Sequence, residues 1–391
     1  MHQMTKNVIY LISSPLAQRD YERFGIEKWL DRGWEVLVFD VTKIVKKDFW
    51  NHVDGEKISV NYVTIKIFET DKEALSEIDL IKGNTIFIDI LEGSLFEEKF
   101  RGLAKQKGQL IKLFVGVIPS QKQKFIKYLT RNLSRPKILL DLVVRQFYRF
   151  KEVEPDYVVV GGSKSEQSLK YTKSKIIRAH NLDYDFYIND SVTQEKKEPY
   201  ILFLDEDACY HSDYIALGIK PCGTPSDYFP KINSGLHAIA KKFNLEVIVA
   251  AHPRSSLEDK PYSFEFPVLK NNTYDLVKNA SLVIAHGSTA IQFAIILRKP
   301  ILLVTTNELE AGFCSGAYKK FRSELNKSII NFDNYTDKQY LSIESSVDDD
   351  IYDNYFQKYI KQRNTPNKPL WNIVIDQIEA DHLAPQDKSS F

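Results

Sequence analysis

Residues 246–306 constrain the fold more than any other stretch of the chain. EVIVAAHPRS (246–255) and SLVIAHGST (281–289) are short apolar, β-branched runs that end abruptly in histidine and small polar residues. A third buried run, ILLVTT (301–306), follows a helix-like stretch closed by Arg298-Lys299-Pro300. Runs without polar alternation, each separated from the next by helix, read as strands of a parallel α/β sheet covered on both faces. In such sheets the loops at the carboxyl ends of the strands meet the ligand. Ser288 and Thr289 fall at the expected helix N-terminus, where unpaired N–H groups and the helix dipole favour a phosphate.

The same alternation runs through most of the chain. Strands are predicted at 7–13, 34–41, 59–68, 84–90, 110–118, 156–162 and 175–180, with a helix over about 20–32. A second series opens at YILFLDED (200–207) and continues with a helix over about 228–243, the strand 246–252, FPVLK (266–270) and a helix from about Thr273. Its last elements are the strand 281–286, a helix from Ser288 and the strand 301–306. Crossovers between such strands are right-handed. A length of 391 residues exceeds what one core usually supports. The expected architecture is therefore α/β, with two Rossmann-like domains whose parallel sheets face a central cleft. The polar, charged segment NDSVTQEKKEP (189–199) is the natural linker. It divides the chain into domains at 1–190 and 191–335, with C-terminal helices over 336–391 packing back across them.

Composition excludes several function classes. A formal net charge of +1 carries no polyanion-binding signature, and no nucleic-acid motif is present, so nucleic acid is not an expected partner. Three cysteines, Cys209, Cys222 and Cys314, lack metal-ligand spacing and suggest reduced thiols in a cytoplasmic protein. The N-terminal MHQMTKNVIYLISS reads as a first buried strand, because its apolar run is too short for a secretory signal. No apolar stretch approaches the ~20 residues that span a bilayer. One segment departs from neutrality: 122–151 carries nine Lys and Arg against the single acid Asp141, interleaved with aromatic and aliphatic residues. It reads either as a peripheral surface for anionic lipid or glycolipid, or as the solvated basic face of a helix pair.

The residues able to carry chemistry cluster at the strand ends. Pro253 ends its strand and sets the loop's direction, so that His252 offers a ring nitrogen and Arg254 a bidentate fork to a phosphate. His286, Gly287, Ser288 and Thr289 form the matching group at the next ligand-facing strand end. The alternatives are a hydrogen-bonded histidine that terminates a strand and an ordinary N-cap. A general base needs one carboxylate within reach of an acceptor hydroxyl. The order of preference is Glu92, Asp89, Asp205 and Asp20, each of which also reads as a solvated loop acid or a cap. Ser14 and Arg19 join Asp20 after the first strand. Asp205-x-Asp207 superficially resembles a metal-binding pair, but the phosphate site brings its own positive groups, so neither a metal nor a cofactor is expected. No G-x-G-x-x-G after a strand, no P-loop and no G-x-S-x-G elbow occurs.

Together, SSPLAQRDYERFGIEKWLDRGWEVLVFDV, RAHNLDYDFYI, YILFLDED, EVIVAAHPRS and LVKNASLVIAHGSTAIQFAIILRKPILLVTT resemble bacterial surface-carbohydrate biosynthesis proteins of lipopolysaccharide and capsule clusters. These are similar to glycosyltransferases of the GT-B fold and, more distantly, to bacterial sialyltransferases and Kdo transferases that use CMP-activated sugars. The resemblance implies transfer of a nonulosonic acid or Kdo from CMP to a surface glycan or glycolipid, without a metal. It casts 1–190 as the acceptor-binding domain and 191–335 as the nucleotide-sugar domain. His252, Ser288 and Thr289 would hold the leaving phosphate, and an acid of IDILEGS (Asp89, Glu92) would serve as base. Arg254 or Lys270 would meet the donor's carboxylate. UDP-, GDP- or dTDP-sugar transfer, pyruvyl transfer and nucleotide-sugar epimerisation remain as rival activities. The expected place of work is the cytoplasm, at the inner face of the cytoplasmic membrane.

Overall fold

The computed structural model describes residues 6–52, 62–119, 152–190, 198–211, 214, 220–253, 255, 262–270, 272–312 and 315–383. The basic segment 122–151, most of the linker (191–197), Arg254 and Cys314 lie outside the described residues, as does the side chain of Arg19. The chain divides into two compact units. Unit 1 takes in the described residues of Met1–Val117, Gln123–Leu182 and Lys361–Phe391, and unit 2 those of Ile118–Lys122 and Asp183–Ile360.

Unit 1 is built on strands β1 (Asn7–Ile12), β2 (Glu35–Asp40), β3 (Val63–Ile67), β4 (Thr85–Asp89), β5 (Gln109–Phe114), β6 (Tyr157–Val160) and β7 (Lys175–Arg178). They form one sheet in the order β3-β2-β1-β4-β5-β6-β7, and every pairing is parallel. Successive side chains of a strand point to opposite faces. Val8, Tyr10 and Ile12 accordingly enter a core with Trp29, Trp34 and Trp371, while Ile9 and Leu11 enter another with Phe39, Phe87 and Phe100. This two-sided burial explains why the strands read as unbroken apolar runs.

The helix expected over 20–32 is two helices, Gln18–Arg23 and Ile26–Asp31, separated by Gly25 at φ +61°. Only glycine fits there: a Cβ would come within 2.2 Å of the Trp371 ring. Trp371 opens the helix Leu370–Leu383 and donates its indole N–H to the Arg23 carbonyl at 2.8 Å. Arg32 ties down the same helix through Asp376 and Glu379, both at 2.8 Å. The tail beyond 336 is thus divided between the units, with Asp349–Tyr355 and the π-helical turn Phe356–Ile360 in unit 2 and Leu370–Leu383 in unit 1.

Unit 2 holds β8 (Tyr200–Leu204), β9 (Glu246–Ala250), β10 (Val268–Leu269), β11 (Leu282–Ala285), β12 (Ile301–Thr305) and β13 (Ile329–Asn331). Their order is β10-β9-β8-β11-β12-β13, again with all pairings parallel. The helix Pro225–Phe243 starts on a proline, which loses nothing by lacking an N–H at that position, and ends at Asn244 in the left-handed region. In each sheet the chain first builds outward on one side and then returns to build on the other. The reversal falls between β1 and β4 in unit 1 and between β8 and β11 in unit 2. Loops leaving the carboxyl ends of such a central pair diverge and leave a crevice for a ligand.

Candidate functional site

In unit 2 the crevice is framed by Asp205-Glu206-Asp207 after β8 and His286-Gly287-Ser288-Thr289 after β11, with His252 following β9. The Asp205 amide donates to the Ala250 carbonyl at 3.0 Å, carrying the sheet one residue past β8. Asp207 turns the chain at φ +51°, with its amide donating to the Asp205 carboxylate at 3.1 Å. That turn delivers His211, whose Nε2 lies 3.3 Å from Nε2 of His252, with ring centroids 4.4 Å apart. The His252 carbonyl accepts from both the amide and the hydroxyl of buried Ser255, at 2.9 and 2.8 Å. Lys270, itself exposed, donates to the Ser255 carbonyl at 3.0 Å and so braces the same loop from β10.

His286 has a different role from the expected phosphate contact. It is 1% exposed, with Nδ1 2.8 Å from the Val304 carbonyl and Nε2 3.0 Å from the Tyr228 hydroxyl. A carbonyl only accepts, so Nδ1 carries the proton and Nε2 accepts from tyrosine. Burial pushes the imidazole pKa down to about 4, which leaves it neutral at pH 7. With both nitrogens committed in the core, His286 aims the loop that follows it.

That loop begins at Gly287, whose amide donates to the Glu206 carboxylate across the β8–β11 reversal. A Cβ at 287 would lie 2.5 Å from the buried Tyr318 ring, so the demand for glycine is steric. Desolvation, with Asp205 adding to it, raises the Glu206 pKa to about 7. The first helical residue is Ile291, capped by Ala290, rather than Ser288. Ser288 and Thr289 instead form the lead-in turn: their carbonyls accept from Ile291 and Gln292 at 3.1 Å each, and Ser288 Oγ accepts from the Ala290 amide at 3.3 Å. Thr289 is exposed and Ser288 half-buried.

Unit 1 carries the remaining expected residues. Asp89 ends β4 with its side chain 0% exposed. It accepts from Arg101 Nε at 2.7 Å, from Arg101 Nη2 at 3.1 Å and from the Leu91 amide at 3.1 Å. An acid so enclosed and paired holds the fold; it has no oxygen open to an acceptor hydroxyl. Glu92 is the accessible one, with its side chain 64% exposed and paired with Lys46. Ser14 is half-buried just past β1, and Asp20 half-buried in the helix Gln18–Arg23.

Sequence reasoning passed over three groups. Glu97 is buried and accepts from three consecutive amides, those of Glu92, Gly93 and Ser94, fixing the loop that presents Glu92. Its signal was legible, since Ser94-x-x-Glu97 is a capping box. Glu206 reads in FLDED only as one of three adjacent carboxylates, and His211 belongs to no motif.

No protein-family profile matches the chain, and no curated protein matches it in sequence. Solved structures do. A structure of the wall teichoic acid polymerase TagF, soaked with CDPG, superposes with a TM-score of 0.54 at 12% identity, covering 96% of this chain and 89% of that one. CalG4, the calicheamicin glycosyltransferase, gives 0.50 at 11% identity, covering 98% and 100%. MnaA of S. aureus in a co-structure with UDP gives 0.50 at 12%, covering 100% of both chains. The fold is GT-B. At such identities the likeness is one of fold, and the two GT-B units supply the seven- and six-stranded parallel sheets. Among the described residues of this GT-B chain, no group of three or more His, Cys, Asp or Glu is placed to hold a metal ion. No described helix is long and apolar enough to cross a membrane.

Proposed function

We propose that the protein is a glycosyltransferase that moves a sugar from a nucleotide-activated donor to a glycan or glycolipid acceptor, and that the donor is a CMP-linked nonulosonic acid or Kdo. The observation that carries this reading is the convergence at the β8–β11 reversal. There the Gly287 amide and the Ser288 and Thr289 hydroxyls lie on one loop, and His252 with His211 closes the end of the adjacent strand β9. Departure of a nucleotide gathers negative charge on its phosphate, and fixed N–H and O–H donors oppose that charge best. Lys270 and Arg254 add cations for the phosphate or the donor's own carboxylate. These groups suffice without a metal or cofactor. Glu92 is assigned as the base that takes the acceptor hydroxyl's proton. The His-Pro pair at 252–253 and the Ser-Thr pair at 288–289 support the CMP-sugar class.

A UDP-sugar reading is supported by the likeness to MnaA, solved with UDP. Calorimetric titration of CMP, CDP, UDP and GDP, with His252→Ala as control, separates the two. Selective CMP binding that weakens in the variant is the expected result. Selective UDP binding moves the donor class while keeping the site, and silence across the panel removes the transferase reading. The basic segment 122–151 is assigned to anionic lipid at the inner face of the cytoplasmic membrane. Neutralising Lys122, Lys124, Lys127 and Arg131 should abolish sedimentation with phosphatidylglycerol vesicles, and unchanged sedimentation refutes the assignment.

A further inference from the structure

The Glu206 carboxylate does what a ligand phosphate would do: it is an anion seated on the Gly287 amide, at the sheet position where a GT-B nucleotide is expected. Two anions cannot share one donor, and a carboxylate facing a phosphate in a desolvated crevice is repelled by it. We propose that Glu206 is a proton-linked gate of the phosphate site, which takes up a proton from solvent as the phosphate arrives and gives the Gly287 N–H over to it. Once neutral, the carboxyl group becomes a donor and adds an O–H to the same phosphate. The inference rests on the phosphate seat proposed above.

The surroundings are arranged for such an exchange. Tyr318 approaches from the helix Ser315–Leu325 with its hydroxyl 3.5 Å from the second carboxylate oxygen, a long contact that favours the charged form less than burial opposes it. Among the described residues, Asp205, Cys222 and Tyr228 also act on it electrostatically, and none of these three is a cation. Burial among them raises the carboxyl pKa to about 7, so little free energy separates the two protonation states at neutral pH. The neighbouring His286 is held neutral and does not compete for the proton.

The apparent dissociation constant scales inversely with the competent fraction. A site that must be protonated, with a pKa near 7, therefore binds roughly tenfold more weakly at pH 8 than at pH 6. The test is calorimetric titration of CMP and UDP at pH 6, 7 and 8 into wild type and Glu206→Gln. The ratio of the two proteins' affinities cancels the nucleotide's own phosphate titration. The variant should match wild type at pH 6 and bind about tenfold more tightly at pH 8. In buffers of different ionisation enthalpy, proton uptake at pH 7.5 should be greater for wild type than for the variant. Parallel pH profiles with intact binding overturn the gate and leave the phosphate seat standing. Absence of nucleotide binding in both proteins overturns both. Ligand-free protein labelled with 15N-glycine gives a readout independent of binding. The Gly287 amide should titrate near pH 7 in wild type and stay fixed in Glu206→Gln and Glu206→Ala, and a resonance that ignores pH in wild type refutes the contact.

Discussion

Replacing Gly287 by alanine tests the packing that aims the phosphate loop. The added methyl would sit 2.5 Å from Tyr318 Cδ1 and 2.9 Å from Cε1. The tyrosine ring is 2% exposed and stands with its centroid 6.0 Å from that of His286, so it has little room to yield. Overpacking of this kind costs about 1–3 kcal/mol. For a unit of this size that lowers the melting temperature by about 2–12 °C. Tyr318→Leu removes the clashing ring edge. In that background the same alanine should cost no more than about 0.5 kcal/mol, a coupling on the order of 1 kcal/mol or more. All four tryptophans, Trp29, Trp34, Trp50 and Trp371, belong to unit 1, so unit 2 is best followed by tyrosine near-ultraviolet and far-ultraviolet circular dichroism during urea unfolding. An equal cost in both backgrounds would refute the steric argument.

Two further outcomes follow from buried charge. His286 is held neutral in the folded state, with its pKa down at about 4, whereas an unfolded histidine titrates near 6.5. Its stabilising contribution is complete above pH 6.5 and disappears as pH falls towards 4. Glu206, raised to about 7, acts in the opposite sense, favouring the fold at low pH and losing that effect as pH rises through 7. Comparison with His286→Gln isolates the first: between pH 7 and 4 wild type should lose on the order of 3 kcal/mol more than the variant, and parallel urea midpoints would refute it. Arg101→Met leaves the buried Asp89 carboxylate with only the longer ion pair to Lys112, at 3.9 Å, and should cost about 3–5 kcal/mol, largely regained in Arg101→Met/Asp89→Leu. Tryptophan fluorescence reads that unit, and a loss below 1 kcal/mol for the single variant would sink the argument.

The α/β character was legible because strands buried on both faces leave apolar runs that nothing else in a chain of this composition explains. The C-terminal ends of those runs also marked where His252 and Gly287 would lie. Partnership was not legible. Asp89 and Glu92 look equivalent in IDILEGS, but one faces Arg101, twelve residues away on a helix, and the other faces solvent. Likewise His286 looks like a ligand until Val304 and Tyr228 take its two nitrogens. The break at Gly25 was hidden for the same reason: its cause, Trp371, lies far along the chain.

That distant tryptophan has a consequence for how the protein is made. Trp371 completes the cluster around Tyr10 and Trp29, with ring centroids 6.1 and 6.3 Å away, yet it leaves the ribosome only after every strand of unit 2. At ordinary translation speeds the interval between β7 and the helix Leu370–Leu383 is roughly 10–40 s. Throughout that time the nascent first sheet exposes the apolar face the helix will cover, while the second sheet can close behind it. The half of the protein that is synthesised first is therefore finished last. A fragment ending near residue 182 should lack one side of the Tyr10–Trp29 core.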